Sequence, residues 1–320
     1  MEEKKLYPMS FCGIADEYDW GTDEFLLADL GYRDSLVRDG WLAGNSISEV
    51  MDTYLDRVVG DNAFSFWGLQ FPLQVKRITV RGTMPLRVHP DALTALQRYD
   101  ALGRRKLWYV LSAAPGARIL AGWNKDTDAS EVYTACSSES VAGMLKSFEP
   151  KAGDFIHIPS GTPHAATGSL ELLEVSESSA LDFCLSGLGQ DIHPDEFDQS
   201  LSLVDALDFI DYKEFNGGLE HGAAKIADFE EFVVERLDLS APVRVSGEAD
   251  TFALYYCVKG SAAIRIDVLG QTASFALKPG IPVLVPAECP DFSVAPLEKD
   301  TVLLQITVPF QTEKDSYLVS

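Results

Sequence analysis

From Phe71 onward the apolar positions come in short runs. LQVKRITVRG, LWYVLSA, ARILAGW, DFIHIPSG and LELLEVSE each mix β-branched or aromatic residues with polar ones, and Gly or Pro interrupts the series repeatedly. Runs this short predict strands, because branched and aromatic side chains suit a pleated, half-buried surface. The same texture returns after residue 225 in FEEFVVERLDL, TFALYYCVKGSAAIRIDV, ASFALKPGIPVLVPAE and TVLLQITVPF. Helical patterns lie elsewhere. TDEFLLADLGY reads as a helix capped by Thr22 and ended near Gly31, and SISEVMDTYLDRVVG as one begun at Ser46 or Ser48 and stopped by Gly60. VAGMLKSFEP predicts a short helix. Residues 194–214 predict another, with Pro194 in the first turn and Leu201, Val204, Leu207 and Phe209 along one face. His193 reads as its surface entry residue, and the Gly-rich NGGLEHGAAK, which carries His221, as a linker.

The two β-rich parts echo each other. GDFIHIPSGTPH and GIPVLVPAECPD both read Gly, five residues, Pro, then a turn, with Asp291 standing where the first copy has His164. This weak repeat predicts two copies of one small β-barrel, the second metal-free and structural.

Composition narrows the partners. The 320 residues are 46% apolar, enough for two sizeable cores, and carry a net charge of −23, which disfavours nucleic acid as a partner. Five scattered cysteines form no C-x-x-C pair, MEEKKLYPMS has no apolar signal region, and no stretch approaches ~20 apolar residues. The expectation is a cytoplasmic protein that does not engage a membrane. Against this acidic background, residues 76–118 hold nine basic side chains (Lys76, Arg77, Arg81, Arg87, Arg98, Arg104, Arg105, Lys106 and Arg118) opposed only by Asp91 and Asp100. A local positive field of this kind suits a small anion such as a sugar phosphate. Alternatively, these charges face outward and balance acids elsewhere.

Gly153, Pro159, Gly161 and His164 form G-x5-P-x-G-x2-H, which resembles the second motif of the cupin superfamily. FPLQVKRITVRGTMPLRVHPD, LWYVLSAAPGARILAGW and GDFIHIPSGTPHA, in that order, together look like the short bacterial form of class I mannose-6-phosphate isomerase. The resemblance covers roughly residues 60–310. It implies a mainly β fold of two cupin-type jelly-roll barrels with helical insertions. The expected division is an N-terminal cupin domain with the active site over 1–193, a helix and linker over 194–224, and a C-terminal cupin domain over 225–320. It also implies one zinc ion and the interconversion of mannose 6-phosphate and fructose 6-phosphate.

Carried over one at a time, the family's metal ligands fall on His89 and His164, its ligand glutamate on Lys106, and the residue two before His89 on Arg87. The conserved glutamate is Glu174, the arginine assigned a catalytic role falls on Cys184, and Trp20-Gly21 looks like the start of the family's WGG. Two readings follow. In one, the chain is a metal-assisted phosphosugar isomerase, with His89 and His164 on zinc, Lys76, Lys106 and Glu174 in catalytic roles, and Arg87 and Arg104 toward the phosphate. In the other it is a pseudoenzyme that binds a sugar phosphate or another small anion, the Lys106 ammonium standing where the metal would be. Two imidazoles fall short of the three protein ligands usual for catalytic zinc, so the choice turns on whether a carboxylate such as Glu174 reaches them. His157 is a third ligand if its strand face points inward, and a packing residue otherwise. Cys184 reads as a buried thiol.

Overall fold

The computed structural model describes residues 4–192, 203–246, 250–268 and 271–309. Two compact units emerge, one of residues 15–24 and 75–222, here the site unit, the other of residues 1–14, 25–74 and 223–320. Residues 4–14 and 25–74 thus pack with the C-terminal strands, whereas chain order alone groups them with the first cupin domain.

The site unit is built on two antiparallel sheets, whose strands are numbered in chain order. They are β1 (Ile14–Tyr18), β2 (Gly21–Leu27), β3 (Leu73–Val80), β4 (Leu86–Val88), β5 (Lys106–Ala113), β6 (Arg118–Trp123), β7 (Leu145–Phe148), β8 (Asp154–Ile158), β9 (His164–Thr167), β10 (Leu170–Glu177), β11 (Phe183–Ser186) and β12 (Glu220–His221). The larger sheet runs β12-β8-β5-β10-β3-β2-β1 and the smaller β11-β4-β9-β6-β7. Its core includes Trp108, Val110, Ile119, Ile156 and Leu172. The second unit repeats the plan with a seven-stranded and a four-stranded sheet. Its core joins Tyr255, Cys257, Ile264, Val283, Val285, Phe292 and Leu303. The fold is mainly β and of cupin type.

The helix predicted from Ser46 to Gly60 forms in two pieces, Ile47–Tyr54 and Asp56–Val59, broken at Leu55, whose φ is +52°. Ser46 accepts from the Glu49 N–H while Glu49 reaches back to the Ser46 N–H, a reciprocal cap of the kind the sequence announces. The helix predicted at Thr22 does not form, because residues 21–27 are strand β2. Asp23 pairs with Lys76 on one face and Glu24 with Arg77 on the other, the two-residue alternation of neighbouring strands. Burial of nearly every position in this run removed the polar stripe that separates strand from helix. VAGMLKSFEP becomes a 3-10 turn, Val141–Met144, followed by β7. Helices Ala92–Tyr99 and Ala129–Ser137, which the pattern did not announce, are capped by Asp91 and Asp128. His193 and residues 194–202 lie outside the described residues; of the predicted 194–214 helix, Leu203–Ala206 is helical, whereas residues 207–214 are turn and irregular chain.

Candidate functional site

Strand register decides which side chains meet. Lys106 opposes Ser176 and Ile158, and Trp108 opposes Glu174 and Ile156, so Lys106, Trp108 and Glu174 share the inward face of the larger sheet. In the smaller sheet His164 opposes Arg87 and Ala121. His89 follows β4, where the chain turns into the helix capped by Asp91. One glycine joins the two histidine turns. The Gly161 N–H donates to the His89 carbonyl at 2.8 Å, its φ is +74°, and a Cβ there would lie 2.6 Å from the Phe209 carbonyl oxygen.

The side chains converge on a buried charged cluster. Lys106 Nζ lies 3.0 Å from both oxygens of Asp182, 3.1 Å from His164 Nε2 and 3.9 Å from Glu174 Oε2. Lys76 Nζ donates to Asp23 at 2.6 Å and lies 3.8 Å from Glu174. Arg104 spans Glu174 and Asp182, 3.3 Å from each. Arg87 lies 3.5 Å from Asp23 and 3.8 Å from Asp182, with its guanidinium 5.3 Å over the Trp20 ring. Trp108 Nε1 donates to Glu174 at 2.8 Å. Lys76, Arg87, Arg104 and Lys106 therefore face Asp23, Glu174 and Asp182, all of them buried. Side-chain exposure is 1–2% for Lys106, Lys76 and Glu174 and 4–8% for Arg104, Arg87, Asp23 and Asp182, so every member of the cluster is buried.

The neighbours set the protonation states. Burial lowers Lys106, with Arg104 adding to it and Asp182 and Glu174 opposing, to about 8, so it is an ammonium at neutral pH. Burial and the Lys106 charge bring His164 down to about 3, and burial, Lys106 and His164 hold His89 well below the usual imidazole range. Both rings are neutral. Burial works to raise Glu174 and Asp182, but the surrounding cations outweigh it and hold both well below the usual carboxylate range. His164 Nδ1 donates to the Thr162 carbonyl at 2.9 Å, which leaves Nε2 as the acceptor for Lys106.

All seven residues expected at the site gather in this unit. Two members of the cluster were missed, Asp182 and Asp23. The helical reading of 22–31 hid Asp23, and no motif marks Asp182. Buried cations need carboxylates, and that need was the only signal for either. The carboxylate that reaches the histidines is Asp182. The positive segment divides: Lys76, Arg87, Arg104 and Lys106 enter the cluster, whereas Arg77, Arg81, Arg98 and Arg118 pair with Glu24, Glu17, Asp208 and Glu149 toward the surface. His157 opposes Leu107 on the other face of the sheet, its ring 5.8 Å from Phe155. Cys184 is half-buried opposite Arg87, and all five cysteines are free thiols. His221 is not linker, because β12 pairs with β8 and its Nδ1 lies 2.7 Å from Asp154 Oδ1. No helix among the described residues is long and apolar enough to cross a membrane.

His89, His164 and Asp182 each bring a ligand atom within 4.8 Å of the others, two imidazoles and a carboxylate as catalytic zinc sites use. The donor types suit a metal, but the surroundings do not. The Lys106 ammonium already holds His164 Nε2 and both Asp182 oxygens, and a divalent ion there would stand directly against that positive charge. As arranged, the residues fit an ammonium and not zinc.

No protein-family model matches the chain. It is similar to the Bacillus subtilis protein YvyI, whose assignment as a mannose-6-phosphate isomerase is provisional, at 23% identity over 270 residues and 81% of each chain. A mannose-6-phosphate isomerase of Streptococcus mutans is 31% identical over 145 residues, 45% of this chain and 44% of that protein. Among solved structures, the mannose 6-phosphate isomerase of Bacillus subtilis superposes with a TM-score of 0.79 at 20% identity, covering 94% of this chain and 99% of that one. A zinc-bound mannose 6-phosphate isomerase superposes at 0.72 with 11% identity over 94% and 99%. At these identities the structures establish the fold.

Proposed function

We propose that this chain belongs to the mannose-6-phosphate isomerase family, short class I form, and that it binds a phosphosugar anion without metal-assisted turnover. The observation that carries this reading is the Lys106 ammonium lodged between His164 and Asp182, within a cluster of four cations against three carboxylates. Arg87 and Arg104 would meet the phosphate, since a guanidinium offers paired donors to its oxygens. Lys76, Lys106 and Glu174 would form the charged floor beneath the sugar. The free thiols suit the reducing cytoplasm.

The test pairs calorimetric binding with an NMR assay of mannose 6-phosphate conversion. Mannose 6-phosphate or fructose 6-phosphate should bind, mannose should not, and no isomerisation should be seen. Absence of binding by either phosphate overturns the reading. One observation favours the second reading, an active isomerase: Asp182 supplies the carboxylate missing from the histidine pair. Zinc-dependent conversion of mannose 6-phosphate would establish that reading instead.

A further inference from the structure

We propose that the Lys106 side chain is a built-in substitute for the metal ion, and that a complete metal site lies beneath it, vacated by one residue. Three observations carry this. First, the donors are in place: His89, His164 and Asp182 present ligand atoms within 4.8 Å of one another, all buried. Second, the occupant is a side chain. Lys106 Nζ touches His164 Nε2 at 3.1 Å and the two Asp182 oxygens at 3.0 Å each, bonds a coordinated cation would otherwise claim. Third, one donor is left over. Both ring nitrogens of His89 are buried without a hydrogen-bond partner, although a buried imidazole normally finds one.

The tautomer agrees with this assignment. Because His164 Nδ1 bonds the Thr162 carbonyl, its lone pair is aimed at the shared position, the outer-sphere arrangement that orients a metal-bound imidazole. An ammonium satisfies that lone pair and one carboxylate, but it is a donor of fixed tetrahedral reach and leaves His89 unused. A metal would take all three. The substitution changes the chemistry open to the site. The cation is covalently held, cannot exchange, and offers no open coordination position for a sugar oxygen. The inference does not depend on phosphosugar binding, and its test reads metal content alone.

Zinc per chain is measured by elemental mass spectrometry on the full-length protein, on Lys106→Glu and on Lys106→Met, each dialysed against trace zinc and then metal-free buffer. Cobalt(II) substitution, read as visible d–d absorption, reports the ligand geometry independently. The wild type should retain essentially no zinc, and Lys106→Glu should retain close to one ion per chain with tetrahedral cobalt bands. Lys106→Met empties the position without adding an acid, so it tests the inference if the glutamate variant does not fold. It should also take up zinc, and more weakly. A stoichiometric zinc in the wild type, lost in His164→Ala, overturns the proposal. So does a folded Lys106→Glu or Lys106→Met that binds none.

Discussion

Between the sheets of the site unit, Lys76, Arg87, Arg104 and Lys106 are buried against Asp23, Glu174 and Asp182, whereas the space between the sheets of the second unit is filled by Tyr255, Ile264, Val283, Val285, Phe292 and Leu303. The scaffolds are alike, and each has a continuous apolar core. The difference lies at one end of the site unit, where Lys106 begins its strand and Ile158 and Glu177 end theirs. Apolar side chains need only fill volume, so each contributes nearly on its own. Buried ions are tolerated only as a satisfied set, and losing one member exposes the cost of the rest. A sandwich that retains such a set is held by mutual charge compensation; one filled with apolar side chains is held by packing.

The largest expected effect tests that contrast directly. Glu174→Leu keeps volume but leaves Lys76, Arg104 and Lys106 short of a carboxylate and the Trp108 N–H without its acceptor. The expected loss is about 3–5 kcal/mol in urea unfolding, a large fraction of the stability of an ordinary domain. A loss below about 1 kcal/mol would mean that water reaches the cations, and the two interiors would then differ less than their composition implies.

How much of this was legible depended on what each residue had to declare. His164 is announced by its turn, because Pro159 and Gly161 fix the geometry that delivers it, and His89 by the motif that precedes a helix cap. Lys106 and Glu174 lie on strands whose alternation is readable, so their inward face follows from period two. Asp182 lies just ahead of a short strand with no periodicity around it, and its role arises only when the cluster closes in space. Asp23 was hidden by a run buried on both faces, in which strand and helix leave the same apolar signature. The repeat relating Gly153–His164 to Gly280–Asp291 was readable, but which parts of the N-terminal chain pack with each copy was not. That choice is made by long-range pairing, such as Met9 with Leu284.

Acid titration should sharpen the contrast, because the units respond in opposite directions. In the second unit, burial pushes Asp29 up to about 6, with Asp34 and Asp52 adding to it against the Phe71 N–H. An unfolded aspartate titrates near 4, so between about pH 4 and 6 the native state binds the extra proton, and stability falls as the pH rises through that window. A displacement of this size corresponds to about 3 kcal/mol. Glu174 is the reverse case. Its carboxyl is held low, so its contribution is complete at neutral pH and is lost as the pH falls below about 4. Asp29→Asn should flatten the curve between about pH 4 and 6 and raise stability at pH 7 by up to about 3 kcal/mol, leaving the acid limb intact. Denaturant unfolding at a series of pH values checks this, and a retained slope in Asp29→Asn would assign it to another group.

The smallest effect is expected where the interior is only hydrocarbon. Ile264 is fully buried, opposite Phe275 on one neighbouring strand and Val294 on the other. Ile264→Val removes one methylene and leaves no polar group unpaired, so the cost should be about 0.5–1.5 kcal/mol, the lost transfer energy plus a small void. It should also be the same at low and high salt, since no charge is involved, and insensitive to pH between about 4 and 8. Measured beside Glu174→Leu under identical conditions, this variant separates volume from charge. Equal and condition-independent losses for both would mean that the site unit is held together as the second unit is, by packing alone. An Ile264→Val loss that varied with pH over this range would place an ionised group inside the apolar sandwich, where burial pushes the Cys257 thiol up to about 11 and raises the Tyr255 phenol as well, so that both are neutral.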